Sequence, residues 1–130
     1  MYVLDTNTVI YFFKGMGKVS EQLLSLSPAD IGIPAIVIFE IETGLLKSNA
    51  SKTRQQQWLD FTLTAQCLQF GRREATIAAD IRAKLENSGT PIGPYDTLIA
   101  ATALARNAKL VTHNVEELNR VPSLIVVDWY

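Results

Sequence analysis

The chain has 130 residues, enough for one domain and too few for two ordinary ones. With 48% of its residues apolar and 19% charged it can fill a core and does not read as disordered, and no run of about 18 apolar residues offers a membrane span. Twelve Lys and Arg against 13 Asp and Glu leave a net charge of −1, which excludes a protein that holds nucleic acid by bulk electrostatics and makes any RNA contact local.

Met1-Tyr2-Val3-Leu4-Asp5 meets an acid at once and lacks the basic-then-apolar design of a secretory signal, so a soluble cytoplasmic protein is expected. Tyr2 to Thr6 reads as a short buried strand, and Asn7 to Lys14 as a helix capped by Asn7 or Thr6 and broken at Gly15 to Gly17. Val19, Leu23, Leu24 and Leu26 follow at helical spacing, and Ser27-Pro28-Ala29-Asp30 marks a loop before a strand over Ile31 to Ile33. Pro34 suits the first turn of a helix over Ala35 to Lys47, which is apolar nearly all round and so is expected to be buried.

The polar stretch Ser48 to Gln57 separates it from a helix carrying Trp58, Leu59 and Phe61 to Leu63, with a third strand at Cys67 to Phe70. Cys67, the one cysteine, makes no internal disulfide and reads as a small buried hydrophobe. Ile77, Ala78, Ile81 and Leu85, with Asp80 and Lys84 paired on the other face, predict an amphipathic helix over Arg73 to Asn87. A stiff loop, Ser88 to Pro94, leads to an alanine-rich helix over Tyr95 to Arg106; then come a strand at Lys109 to Thr112, a helical turn at Val115 to Leu118 and a last strand at Leu124 to Val127. Strands alternating with helices predict one α/β domain over residues 1–130, a parallel sheet covered on both faces, without repeats or linkers.

Four acids lie where the chain leaves a strand or enters a helix: Asp5, Glu40, Asp96 and Glu117. Asp5 ends the first strand, at the edge where open parallel sheets bind ligands, although Asp5, Thr6 and Asn7 also suit a helix cap. Glu40 sits among Ile36, Val37, Phe39 and Ile41, where a carboxylate needs a cation or a donor. Glu42 lies roughly 200° further round the helix, so one of the two faces elsewhere, and Gly44, a turn after Glu40, favours Glu40 as the one with open access. Asp96 lies in a first helical turn, where the helix dipole favours a negative charge whatever the function. Asn114 to Glu117 fits a capping box, an alternative to a site role for Glu117, and Asn114 and Thr112 offer neutral oxygens to a bound water or phosphate.

Carboxylates brought to one rim repel one another unless a hard cation neutralises them, and Mg²⁺, with Mn²⁺ as a substitute, suits all-oxygen ligands. Asp5, Glu40 and Asp96 are the expected metal ligands. Zinc is disfavoured, because the lone Cys67 and lone His113 form no nitrogen or sulfur cluster.

Leu4-Asp5-Thr6-Asn7-Thr8, Phe39-Glu40 with Gly44, Pro91-Ile92-Gly93-Pro94-Tyr95-Asp96, and Val111-Thr112 with Asn114 and Glu117 together resemble the motifs of PIN-domain ribonucleases. The resemblance spans nearly the whole chain and is closest to the VapC-type toxins of bacterial toxin–antitoxin modules. It implies a magnesium-dependent endoribonuclease with Asp5, Glu40, Asp96 and Glu117 as the acidic quartet and Asn7 and Asn114 in support. Asn114 stands where many relatives carry an aspartate, which leaves the fourth role to Glu117. A homodimer, silenced by a small antitoxin whose tail crosses the active site, is implied as well. The Pro-Ile-Gly-Pro loop looks like that of members cutting initiator tRNA in the anticodon stem-loop.

The chemistry expected is in-line attack of water on a phosphodiester, leaving a 5′-phosphate and a 3′-hydroxyl, with no need of a histidine base. His113 therefore reads as a loop residue. Lys14, Lys47, Lys52, Arg54, Arg72 and Arg73, with Tyr95 as a stacking surface, are the local RNA contacts available. Two alternatives remain: a catalytically silent interaction or nucleic-acid-binding module, and a magnesium-dependent phosphohydrolase on small molecules. The second lacks both a Gly-rich phosphate loop and an Asp-x-Asp pair.

Overall fold

β1 (Tyr2–Leu4) is the centre of a five-stranded parallel sheet whose order is β3-β2-β1-β4-β5, with β2 at Ile31–Pro34, β3 at Gln66–Leu68, β4 at Lys109–Val111 and β5 at Val126–Val127. The computed structural model describes residues 1–130. Val3, Leu4, Ile33, Leu110 and Val111 are fully buried, as central parallel strands covered on both faces must be. Register is fixed by Val3 beside Gly32 on one side and Leu110 on the other.

From β1 to β3 the chain steps one way through α1 (Thr6–Lys14), α2 (Val19–Leu24), α3 (Ala35–Lys47) and α4 (Lys52–Thr64). It then crosses back to β4 through α5 (Arg72–Asn87) and α6 (Pro94–Leu104), and α7 (Val115–Leu118) leads to β5. Right-handed crossovers put helices of these two directions on opposite faces. In keeping with that, α4 packs on α1 through rings, Phe12 on Phe61 at 5.3 Å and Phe13 on Trp58 at 6.3 Å, while α5 packs on α6.

Several boundaries differ from expectation for physical reasons. Of the cap candidates Asp5, Thr6 and Asn7, Asp5 caps α1, because its side chain accepts the Thr8 N–H, and this shortens β1. Gly15, at φ +66, ends α1 in the left-handed conformation that favours glycine. Pro34 is the last residue of β2 and precedes α3 instead of lying in its first turn. The polar stretch after α3 is largely helix: Ser51 accepts the Arg54 N–H and starts α4 inside it.

α3 is also less buried than its composition predicts, with only Val37 fully enclosed and Phe39 and Leu46 exposed, since β2, α1 and α6 cover one side alone. Cys67 is exposed on the edge strand β3, contrary to the buried thiol expected.

One buried polar cluster pins the crossover that returns to β4. Glu74 accepts the Gly71 N–H at 2.7 Å, closing the start of α5, and its other oxygen meets Arg106 at 3.4 Å. The Arg106 guanidinium also donates to Gln69 O and Thr102 O, tying the end of α6 to the β3–α5 connection. The Gly71 N–H, then Arg106, hold the Glu74 carboxyl below the usual range. Glu74→Ala removes a charge-assisted bond and leaves Arg106 unpaired, so a loss of about 2–3 kcal/mol is expected, against about half that for Glu74→Gln. Urea unfolding at pH 7 checks both, with an unchanged m-value showing that the fold is kept.

Candidate active site

The strand order reverses between β1 and β4, which opens a crevice at their carboxyl ends. Asp5 stands at that point. Its N–H donates to Val111 O at 3.2 Å, and its Oδ1 accepts the Thr8 N–H at 2.9 Å while Thr8 Oγ1 donates to Val111 O at 3.1 Å. Capping and site placement are thus one arrangement: the bond that starts α1 also locks the carboxylate at the crevice. Burial raises the Asp5 pKa above 3.8, hydrogen bonds from Thr112 and Thr8 oppose the rise, and the charge of Asp128 adds to it.

Asp96 is the third residue of α6, set by Gly93 and Pro94. A helix N-terminus favours a carboxylate by about 0.3–1 kcal/mol. Here that is outweighed: the Asp96 pKa is pushed up to about 6 by burial and then by the charges of Asp5, Glu117 and Glu40. Those acids come from the β1 exit, α7 and α3, so all four share one electrostatic neighbourhood.

Thr6, at the start of α1, donates its hydroxyl to Glu40 Oε1 at 2.6 Å and aims that carboxylate inward. Glu42 faces the other way and accepts the Trp58 indole N–H at 3.1 Å, the division that helical rotation requires. Gly44 does not clear the way to Glu40. A Cβ there would meet nothing within 4 Å, and Gly44 lines a separate cavity of about 310 Å³ with Lys14, Arg54 and Trp58, in which Glu40 forms the shared wall. The acidic cavity itself, about 300 Å³, is lined by Asp5, Thr6, Asn7, Glu40, Tyr95 and Asp96 along with Gly93 and Pro94.

Asn114 and Glu117 do not form the capping box. The Asn114 backbone N–H donates to Thr112 Oγ1 at 3.0 Å, and its side-chain amide donates to Glu117 Oε2 at 2.9 Å, so the amide orients the acid. Thr112 is fully buried with its hydroxyl engaged, and it reaches the site through Asp5 and Asn114. Two residues that the sequence did not single out enter here. From the sequence Thr6 has only a capping role, and Asp128 carries no local signal, because only the pairing of β4 with β5 brings it near.

The donors are all oxygen, in keeping with a hard cation. No three of the acidic side chains are arranged to ligate one ion directly. The donor chemistry suits a hard divalent cation such as Mg²⁺ or Mn²⁺, which Asp5, Glu40 and Asp96 would hold directly or through water. Zinc again has no nitrogen or sulfur cluster to bind it.

The raised Asp96 pKa has a definite sign. Its unfolded value is near 3.8 and its folded value about 6, so the protonated form stabilises the fold; that contribution is complete below pH 3.8 and is lost as pH rises through 6. Asp96→Asn is therefore expected to be more stable than the parent at pH 7.5, by about 1–2 kcal/mol after discounting for solvent screening, with the advantage vanishing towards pH 4. Mn²⁺ or Mg²⁺ should raise the melting temperature of the parent at pH 7.5 and leave the variant nearly unchanged, as thermal unfolding by circular dichroism will read.

Known proteins resemble this chain over nearly its whole length. A family model described as the PIN domain matches residues 2–124. The chain is 32% identical to the tRNA(fMet)-specific endonuclease VapC of Salmonella typhimurium, covering 98% of this chain and 97% of that protein, and 33% identical to ribonuclease VapC2 of Rickettsia felis, covering 99% and 98%. Among solved structures it is similar to DNA-bound VapBC from Salmonella typhimurium, with a TM-score of 0.91 at 32% identity over 99% of this chain and 98% of that one. The chain belongs to the PIN-domain family and, within it, to the VapC group.

Proposed function

We propose that this protein is a divalent-metal-dependent endoribonuclease, the toxin of a toxin–antitoxin pair, acting through Asp5, Glu40, Asp96 and Glu117 with Asn7, Thr112 and Asn114 in support. The observation that carries the reading is one cavity lined by Asp5, Glu40 and Asp96, where burial and then the charges of Asp5, Glu117 and Glu40 push the Asp96 pKa up. A merely structural rim gains nothing from such crowding, whereas a site for Mg²⁺ and a phosphodiester requires it. The VapC relatives, whose names describe ribonucleases, support the activity.

When bound, a divalent ion lowers the pKa of water and offsets the charge that develops on the phosphodiester. Asp5 and Asp96 would hold it. Thr8 and Thr112 fix Asp5, and the Thr6 hydroxyl holds Glu40 where it orients the ion's water shell. Glu117, aimed by the Asn114 amide, orients the attacking water or a second ion. Attack at phosphorus breaks the bond to the 3′ oxygen, which leaves as a hydroxyl, and the 5′-phosphate stays on the other fragment. Asn7, exposed at the cavity edge, contacts the sugar-phosphate chain.

The substrate we infer is tRNA, most narrowly the anticodon region of initiator tRNA, which the name of the Salmonella relative supports. The work would then be done in the cytoplasm, by a homodimer, under control of a cognate antitoxin. Structures of relatives determined as VapBC complexes support that last point. Phe39 and Leu46 are exposed on α3, apolar area of the kind that a partner protein covers.

Purified protein with tRNA should cleave in Mg²⁺ or Mn²⁺ and not in EDTA. Asp5→Asn and Asp96→Asn should each lower kcat/KM by roughly 100-fold or more. Glu117→Gln is expected to lose less, on the order of tenfold, and Asn114→Ala to lose about as much as Glu117→Gln, since the amide acts through the acid. Cleavage that survives EDTA, or survives in both aspartate variants, overturns the metal mechanism; absence of cleavage of any RNA favours a silent binding module.

A further inference from the structure

Beside the acidic cavity lies a cluster of rings that the chemistry above does not use. His113 stacks on Tyr130 with ring centroids 4.3 Å apart and planes 28° from parallel, and Tyr11 meets Tyr130 edge-on at 4.8 Å. Asp128 ties the two halves together, its carboxylate 3.0 Å from His113 Nδ1 and accepting the Tyr130 N–H at 2.9 Å. A backbone seat holds the Asp128–Tyr130 segment in place. The Lys18 N–H donates to Trp129 O at 2.9 Å, and Gly17, at φ +62, lets Tyr130 come so near that a Cβ there would lie 2.7 Å from Tyr130 Cα.

This seat is not explained by packing. Tyr130 remains 43% exposed and the His113 side chain 48% exposed, so the rings keep open surface although their backbone is tightly held. The cluster is also continuous with the site. His113 follows Thr112, which bonds Asp5; Tyr11 lies one turn beyond Asn7 on the same face of α1; and the charge of Asp128 is felt at Asp5.

The charges beside these rings decide what they can receive. Asp128, inside the cluster, disfavours a phosphate against these rings, so an uncharged base is the part of an RNA strand received here, and exposed flat rings are the surface on which unpaired bases stack. Phosphates have a better host on the far side of Glu40, where Lys14 and Arg54 line the neighbouring cavity. We propose that Tyr11, Tyr130 and His113 form a base-stacking subsite, which takes one or two unpaired nucleobases of the RNA strand next to the phosphodiester at the acidic cavity. This rests on the ribonuclease reading above.

Steady-state cleavage of a hairpin oligoribonucleotide in Mg²⁺, intact or with single abasic positions, tests it. Tyr130→Leu keeps apolar bulk over Gly17 and removes the ring face. It is expected to raise KM roughly five- to a hundredfold with kcat within about twofold, while Tyr130→Phe stays near the parent. One abasic position should raise the parent's KM by the same factor and add nothing further in Tyr130→Leu. His113→Ala against His113→Phe reads the same effect with the Gly17 seat untouched, and so decides the matter should Tyr130→Leu not fold. Equal behaviour of the ring-keeping and ring-lacking variants, or abasic and variant effects that multiply, overturns the subsite while leaving the nuclease standing. No cleavage by the parent protein overturns both.

Discussion

Carboxylates buried near one another, which the fold does not allow to separate, are the constraint on which this structure turns. A surface acid relieves such crowding by swinging into water. Asp5 cannot, because its oxygen caps α1 and its backbone extends the β1–β4 ladder. Glu40 is held by the Thr6 hydroxyl and Glu117 by the Asn114 amide. Asp96, set by the turn into α6, stays protonated to higher pH than a carboxyl in water, first because it is buried and then because of the charges of Asp5, Glu117 and Glu40. A bound cation would offset those charges, which couples metal affinity to fold stability.

The scaffold makes this possible by being unremarkable elsewhere. Central strands buried on both faces supply a stiff floor, and parallel order places every strand exit on one edge. The chain's reversal from β3 to β4 then opens the crevice between β1 and β4 without any strained backbone at Asp5, whose φ of −80° and ψ of 173° are ordinary extended values. The Glu74–Arg106 cluster fastens the long crossover behind it, so the polar bonding that stabilises the crossover stands apart from the acids that strain the crevice.

Much of this was legible from residues alone. Asp5, Glu40 and Asp96 sit beside strand ends or on an apolar helix, and periodicity located α3, α5 and α7 almost to the residue. What escaped were relations set by tertiary contact. That Asp5 serves as cap and site at once depends on Thr8, and the capping box at Asn114 failed because Thr112 claims the backbone N–H. The first turns of α4, rich in glutamine, read as a polar stretch before the helix of Trp58, because the helix is held by four rings against α1 rather than by an apolar stripe of its own. Asp128 and the Tyr130–His113 stack had no signal in the sequence, since β5 pairing and the glycine turn at Gly17 join stretches far apart in the chain.

The most direct measurement of the central claim is a crystal of the protein soaked in Mn²⁺, with the ion located by its anomalous scattering. The account predicts a single dominant peak in the acidic cavity, with an oxygen of Asp5 or Asp96, or one from each, at about 2.2 Å and the remaining acids reached through water. A cavity that stays empty at millimolar Mn²⁺, or an ion held elsewhere with neither Asp5 nor Asp96 touching it, would contradict it.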